Sequence, residues 1–173
     1  MSTYQWINRF KHNSKLVPAV LLLVTIGSDQ YTKFLVGKLF DSSTKMSFLN
    51  SFLELSFIRN HGGFLGIVNN LPEIHKFFLL YICVSFLLLA CLIYLFYLKK
   101  RTARYNIPLV FVTGGGISNL LDRLLHDGGV TDFLSIGVGD LRTGIFNLAD
   151  IYILFGSFFL GYLVFASAPN TAH

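Results

Sequence analysis

The chain has 173 residues, of which 53% are hydrophobic and only 13% are charged, whereas soluble domains carry about 25% charged residues. This composition excludes a disordered chain or a coiled coil and predicts one integral membrane domain over residues 1–173. The net charge of +5 does not predict a nucleic-acid partner, because the basic residues flank apolar segments instead of forming a patch.

Four apolar segments predict membrane-spanning helices. They cover about residues 16–36, 77–98, 106–123 and 147–166, and two longer loops, 37–76 and 124–146, lie between them. A spanning helix needs about 20 apolar residues, and only the second segment provides them without polar residues near one end. The first segment has an alternative interpretation as a signal peptide because a basic leader precedes it, but no small-x-small cleavage site follows.

Basic residues in the flanks predict the orientation, since cytoplasmic flanks carry an excess of them. They precede the first span and fill the turn between the second and third: Arg9, Lys11, Lys15, Lys99, Lys100, Arg101 and Arg104. Both termini are therefore expected in the cytoplasm, and the loops 37–76 and 124–146 outside. Basic residues in the first outer loop weaken this bias without reversing it, because that loop is longer.

The first outer loop does not have the composition of a linker. Residues 47–57 are rich in aromatic and other β-compatible side chains, with partial alternation from Leu53 to Phe57. His61-Gly62-Gly63 then interrupts the pattern. We expect a small β-sheet on the outer membrane face.

Polar residues in three of the four spans converge on the outer membrane face. They are Asp29, Asn119, Asp122, Arg123, Asn147 and Asp150. Ionisable groups at such depth are costly and usually face a bundle interior or a wet cavity. Each one alone is equally compatible with an interface residue that snorkels or caps a helix, and Asn147 suits an N-cap well. Asp29 and Lys33 are four residues apart and can pair.

A further carboxylate, Asp132, lies in an apolar run of the second outer loop. Two carboxylates brought together in a low dielectric share one proton, and such a dyad can activate a water and protonate a leaving group. Spacing does not decide which two of the four aspartates pair. A carrier would use the same residues as a proton or cation pathway, although a pathway needs polar residues through the full membrane depth.

The remaining patterns predict packing. Gly114-Gly115-Gly116 with Ser118 forms a small-residue surface that permits close helix approach. A phosphate-binding glycine loop is not favoured, because no strand precedes it and no Lys-Ser/Thr follows. The histidines show no metal-ligand spacing, and the two cysteines predict neither a disulfide framework nor a metal site.

Five motifs in chain order resemble those of bacterial lipoprotein signal peptidase, also called signal peptidase II. The Asp-x-x-Ser/Thr-Lys, Asn-x-Gly, Gly-Gly-x-x-Gly-Asn-x-x-Asp-Arg, Val-x-Asp-Phe and Phe-Asn-x-Ala-Asp patterns are similar to residues 29–33, 60–66, 114–123, 130–133 and 146–150. Single motifs of this kind are weak, but five in the expected order within a four-span frame are specific.

The resemblance implies an all-α bundle of four transmembrane helices with a small extracytoplasmic β-sheet cradle and a short periplasmic helix. It implies an aspartic membrane protease of the bacterial inner membrane, which removes the signal peptide of diacylglyceryl-modified prolipoproteins just before the lipidated Cys. The implied catalytic dyad is Asp132 and Asp150. The implied site-shaping and binding residues are Asp29, Lys33, Asn60, Gly62, Asn119, Asp122, Arg123 and Asn147.

No metal or organic cofactor is implied, and the expected partners are prolipoproteins, membrane lipid and globomycin-like inhibitors. The chain is expected to act as a monomer. Two positions depart from the family pattern: Ser118 stands where glycine is usual, which could loosen a helix contact, and Gly63-Phe64-Leu65 replaces an Ala-Ala-Phe-like segment. The second departure could alter substrate fit or inhibitor sensitivity.

Overall fold

A computed structural model describes residues 15–41, 43–63, 68, 70–98 and 103–167. Part of the basic leader (Arg9, Lys11), most of the basic turn (99–101) and Phe64-Leu65 of the departing segment lie outside these residues.

Four long helices form the core of the fold. They are α1 (Leu16–Leu39), α2 (Glu73–Phe96), α3 (Asn106–Leu125) and α4 (Leu148–Phe165). Within the described residues, three of them, α1, α2 and α4, are long and apolar enough to cross a membrane. Helix α2 begins four residues before the predicted span and contains a π-helical turn at Phe78–Cys83.

Helix α3 contains many polar side chains. It can bury them against protein because it lies at the centre of the bundle. It packs against α1, α2 and α4, so much of its surface faces protein. Its buried residues include Thr113, Ser118, Asn119, Asp122 and Arg123. The helix covers the predicted segment 106–123. Because of these polar side chains its mean hydropathy is lower than that of the other three helices, and it is not one of the three that are apolar enough to cross a membrane.

Three consecutive glycines let the other helices approach α3 closely. A Cβ atom on Gly115 would stand 2.5 Å from the Ala149 carbonyl oxygen of α4. On Gly114 it would stand 2.8 Å from Thr25 of α1, and on Gly116 it would stand 2.6 Å from Leu88 of α2. Each glycine therefore serves a different neighbour, in agreement with the predicted packing role of this small-residue surface.

The loops between the helices build one four-stranded antiparallel sheet. Its strands are β1 (Lys45–Phe48), β2 (Leu53–Asn60), β3 (Val130–Val138) and β4 (Leu141–Arg142), in that order. The alternating residues 53–57 lie on β2, and the aromatic segment 47–57 also contains the last two residues of β1. Strands β3 and β4 come from the loop 124–146, where no strand was predicted. Asp132 lies on β3.

Two apolar clusters fix the sheet and helices together. Leu22, Leu95 and Val110 join α1, α2 and α3. Val36, Phe40 and Phe133 join the end of α1 to β3. Because successive side chains of a strand point to opposite faces, burial of Phe133 against α1 directs Asp132 to the other face of the sheet.

The return segment after β4 carries the chain back along β3. The backbone N–H of Phe146 donates to the Leu134 carbonyl at 2.8 Å, and the N–H of Leu134 donates back to the Phe146 carbonyl at 2.8 Å. The next residue, Asn147, caps α4. This pairing brings the start of α4 beside Asp132.

Candidate active site

Asp132 is buried and receives two amide hydrogen bonds. Asn147 Nδ2 donates to Oδ1 at 2.6 Å, and Asn60 Nδ2 donates to Oδ2 at 2.8 Å. Burial raises the pKa of Asp132 to about 7, and the negative charge of Asp150 raises it further, whereas the two amide donors oppose the rise. The carboxyl group can therefore hold or release a proton near neutral pH.

Asp150 lies in the first turn of α4 and takes part in a capping box. The backbone N–H of Asp150 donates to Asn147 Oδ1 at 2.9 Å, and the N–H of Asn147 donates to Asp150 Oδ2 at 3.2 Å. Asn119 Nδ2 donates to Asp150 Oδ1 at 2.9 Å. Asn147 is thus the N-cap that its position predicted, and it also contacts Asp132.

One cleft of about 270 Å³ contains both carboxylates. Asn60, Asn119 and Arg123 share its lining with the apolar side chains Leu80, Val84 and Ile153. Spacing left the pairing of the four aspartates open. The geometry distinguishes them, because Asp29 and Asp122 lie outside this lining.

Each of the three amides has a fixed orientation, because its carbonyl oxygen already accepts a hydrogen bond. Asn119 Oδ1 accepts from Lys33 Nζ at 2.9 Å, and Asn60 Oδ1 accepts from the Gly62 N–H at 2.9 Å. Asn147 Oδ1 is occupied by the capping box. The NH₂ groups are therefore left to donate to the two carboxylates. Lys33 and Gly62 thus act on the cleft through their neighbours.

Lys33 is buried between two carboxylates. Its Nζ lies 2.7 Å from Asp29 Oδ2 and 3.4 Å from Asp122 Oδ2. The predicted i,i+4 pair of Asp29 and Lys33 is present. This single buried ammonium pairs with both carboxylates and compensates one of their two negative charges.

Asp29 ties α1 to the start of α4 and to α3. Its Oδ1 accepts from the Ala149 backbone N–H at 2.8 Å, so it satisfies an unpaired donor of the first turn of α4. Its Oδ2 accepts from Ser118 Oγ at 2.7 Å. The buried hydroxyl of Ser118, at the position expected to loosen a helix contact, bridges α1 and α3.

Asp122 fixes β3 against α3. Its Oδ2 accepts from the Thr131 backbone N–H at 2.8 Å, and its Oδ1 accepts from Gln30 Nε2 at 3.1 Å. Gln30 and Thr131 were missed by sequence reasoning. The position of Gln30, a polar residue inside an apolar span, offered a signal, whereas a backbone donor such as that of Thr131 offers none.

Arg123 brings a buried cation to the cleft wall. Its NH1 atom donates to the backbone carbonyl of Asn119 at 3.4 Å, and its Nε has no hydrogen-bond partner in the described part of the chain. No carboxylate in that part of the chain lies within 4 Å of the Arg123 guanidinium. In those same ranges, no group of three or more His, Cys, Asp or Glu side chains is placed to hold a metal ion.

A family model described as signal peptidase (SPase) II matches residues 21–166. The lipoprotein signal peptidase of Borrelia turicatae is 32% identical over 159 residues, which are 88% of this chain and 92% of the relative. That of Syntrophus aciditrophicus is 34% identical over 152 residues, which are 83% and 91% of the two chains.

Solved structures share the fold. One bacterial membrane enzyme, 21% identical, has a TM-score of 0.76 over 91% of this chain and 92% of its own. A second, also 21% identical, has a TM-score of 0.72. At this identity the likeness concerns the fold alone. The family model and the relatives confirm the resemblance seen in the motifs: the chain belongs to the signal peptidase II family of membrane proteases.

Proposed function

We propose that this protein removes the signal peptide of diacylglyceryl-modified prolipoproteins, cutting the peptide bond just before the lipidated Cys. The relatives named lipoprotein signal peptidase supply the substrate class. The observation that carries the proposed chemistry is the meeting of Asp132 and Asp150 in one cleft. They lie on different elements, β3 and α4, and Asn147 contacts both of them.

The dyad acts with one shared proton. One carboxylate takes a proton from a water molecule, whose oxygen forms a bond to the scissile carbonyl carbon. The protonated partner donates a hydrogen bond to the developing oxyanion and then passes its proton to the leaving nitrogen as the C–N bond breaks. Because water is the nucleophile, no acyl-enzyme forms. The pKa of Asp132 near 7 suits this proton exchange.

We place the cleft near the outer face of the bacterial inner membrane, with α3 as a fourth span and both termini in the cytoplasm. In support, Arg104, just before α3, donates a hydrogen bond to Ser167, just after α4, at 2.8 Å. The start of α3 and the end of α4 therefore lie together at the end of the bundle opposite the cleft, as expected if both face the cytoplasm. A substrate anchored by acyl chains would meet the cleft at its own depth, which favours encounter. The sheet would then lie on the outer surface.

The proposal extends to partners. The chain acts as a monomer without cofactor and without nucleic acid, and globomycin-like inhibitors occupy the same cleft. The lining of the cleft, polar at the dyad and apolar at Leu80, Val84 and Ile153, suits a ligand with an extended backbone and apolar side chains.

A gel-shift cleavage assay tests the function. Purified protein in detergent receives a diacylglyceryl-modified prolipoprotein, and wild type is compared with Asp132→Asn and Asp150→Asn. Asp140→Asn, the same change at an exposed outer-loop position, is the matched control. We expect cleavage by wild type and control and a loss of at least about 10³-fold in either dyad variant. Substantial cleavage by a folded dyad variant would refute the dyad.

A further inference from the structure

A second pocket, of about 300 Å³, lies between the end of α1, the end of α3 and the sheet. Asp122 and Lys33 take part in its lining, so it adjoins the ion pairs that support the dyad. Its other cations are Lys38 of α1 and Arg59 of β2, and His126, after α3, also lines it. We propose that this basic pocket binds the phosphate of an anionic phospholipid headgroup.

The two outer cations of the basic pocket lack compensating charge. Among the described residues, no carboxylate lies within 4 Å of Lys38 or Arg59. Lys38 Nζ lies 4.6 Å from the ring centre of Phe34, and the Arg59 guanidinium lies 5.3 Å from that of Phe57. Arg59 NH1 also donates to Thr131 Oγ1 at 2.5 Å, which leaves its other N–H groups for a ligand.

The acidic group of the pocket does not cancel these charges. Asp122 shares the Lys33 ammonium with Asp29, and both its oxygens already accept hydrogen bonds. These two carboxylates face three cations, those of Lys33, Lys38 and Arg59. His126 Nδ1 is buried without a hydrogen-bond partner in the described ranges, 3.9 Å from Asp122 Oδ1. The lining therefore carries a net positive charge and a further unused polar atom. This combination suits an anion with several acceptor oxygens, such as a phosphate.

The position on α1 favours a lipid as the source of the phosphate. Helix α1 has 24 residues and is apolar enough to span a membrane, and Lys38 lies in its last turn. Phe34 is 55% exposed and Tyr31 is 62% exposed on the same helix, so acyl chains can lie along them below the headgroup. Basic groups at the end of a spanning helix attract anionic lipids. The inference needs α1 in a membrane and does not depend on the proposed cleavage.

The test measures lipid affinity of the full chain in detergent by native mass spectrometry, with phosphatidylglycerol and phosphatidylcholine as probes. Lys38→Gln/Arg59→Gln is compared with Lys45→Gln/Lys76→Gln, which removes the same charge from β1 and from the start of α2. We expect phosphatidylglycerol affinity to fall at least about 10-fold in the first variant and less than about 2-fold in the second. Phosphatidylcholine should bind weakly throughout, because its headgroup carries a cation.

Three results would overturn the proposal. Equal loss in both double variants would indicate a response to net charge alone. Unchanged affinity in Lys38→Gln/Arg59→Gln would mean that the lipid binds elsewhere. Inorganic phosphate that binds wild type as tightly as phosphatidylglycerol would identify a free anion as the ligand. If the double variant does not fold, Lys38→Gln alone, at an exposed helix end, should still lower affinity about 5-fold.

Discussion

Replacement of Asp132 by asparagine should make the protein more stable at alkaline pH. Burial raises the pKa of Asp132 from the ordinary 3.8 to about 7 in the folded chain. Between these two values the folded chain holds a proton that the unfolded chain has released. The free energy of unfolding therefore falls as pH rises through this window, by about 4 kcal/mol in total. The loss is complete above about pH 7.

The asparagine amide does not titrate, so the variant avoids this loss. Its NH₂ group faces one of the two amide donors of Asn60 and Asn147, which offsets the gain by about 1 kcal/mol. We therefore expect Asp132→Asn to exceed wild type by about 3 kcal/mol at pH 8 and to be slightly less stable than wild type near pH 4, where the hydrogen-bond cost remains and the titration loss has barely begun. Denaturant or thermal unfolding of the purified protein in detergent, followed by circular dichroism across this range, measures the difference.

Asp140→Asn is the control for the unfolding experiment, since an exposed carboxylate should leave the pH dependence as it is. The reasoning is refuted if Asp132→Asn follows wild type at every pH. It is also refuted if the variant is less stable at pH 8, because the two hydrogen bonds would then outweigh the burial of charge.

Three further predictions concern the residues that support the dyad and the pH dependence of cleavage. Lys33→Met should cost about 3–5 kcal/mol, because it leaves two buried carboxylates without a cation, and unfolding in detergent should show this. Gly115→Ala should cost about 1–3 kcal/mol, because its Cβ would stand 2.5 Å from a backbone oxygen of α4; Gly27→Ala, with no atom within 4 Å, should be neutral or stabilising. Cleavage in the gel-shift assay should decline as pH rises above about 7, when the dyad loses its shared proton, and a rate that keeps rising to pH 9 would contradict this.

The sequence was most informative where a signal repeats along one element. Hydropathy identified the segments that became the four helices α1, α2, α3 and α4, and alternation identified β2. Strand β3 was missed because its side chains are buried on both faces at Val130–Phe133, so no alternation marks it. Helix α3 fails a hydropathy criterion for a related reason, since a helix surrounded by other helices does not need an apolar surface.

The site residues were predicted as a set, and it was the family resemblance, not their spacing, that divided them into a dyad and its supporting residues. Spacing placed Asp29, Asp122, Asp132 and Asp150 near one membrane face without separating them. Which carboxylate pairs with a cation depends on how far the Lys33 side chain extends across the contact between α1 and α3. A sequence motif does not contain that distance. The bridging role of Ser118 was missed for the same reason, because it depends on how closely α1 approaches α3.

The four aspartates differ in the groups that contact them, and this difference supports the proposed division of work between the dyad and its supporting residues. Asp29 and Asp122 share the buried ammonium of Lys33 at 2.7 and 3.4 Å, and they spend their oxygens on backbone donors of α4 and β3. They therefore fix the elements that carry the other two. Among the described residues, Asp132 and Asp150 accept hydrogen bonds only from amide and backbone donors, which hold their geometry, and Arg123 on the cleft wall lies more than 4 Å from both carboxylates. A carboxylate pair in that condition is stabilised by one shared proton, and this proton is what hydrolysis of a peptide bond requires.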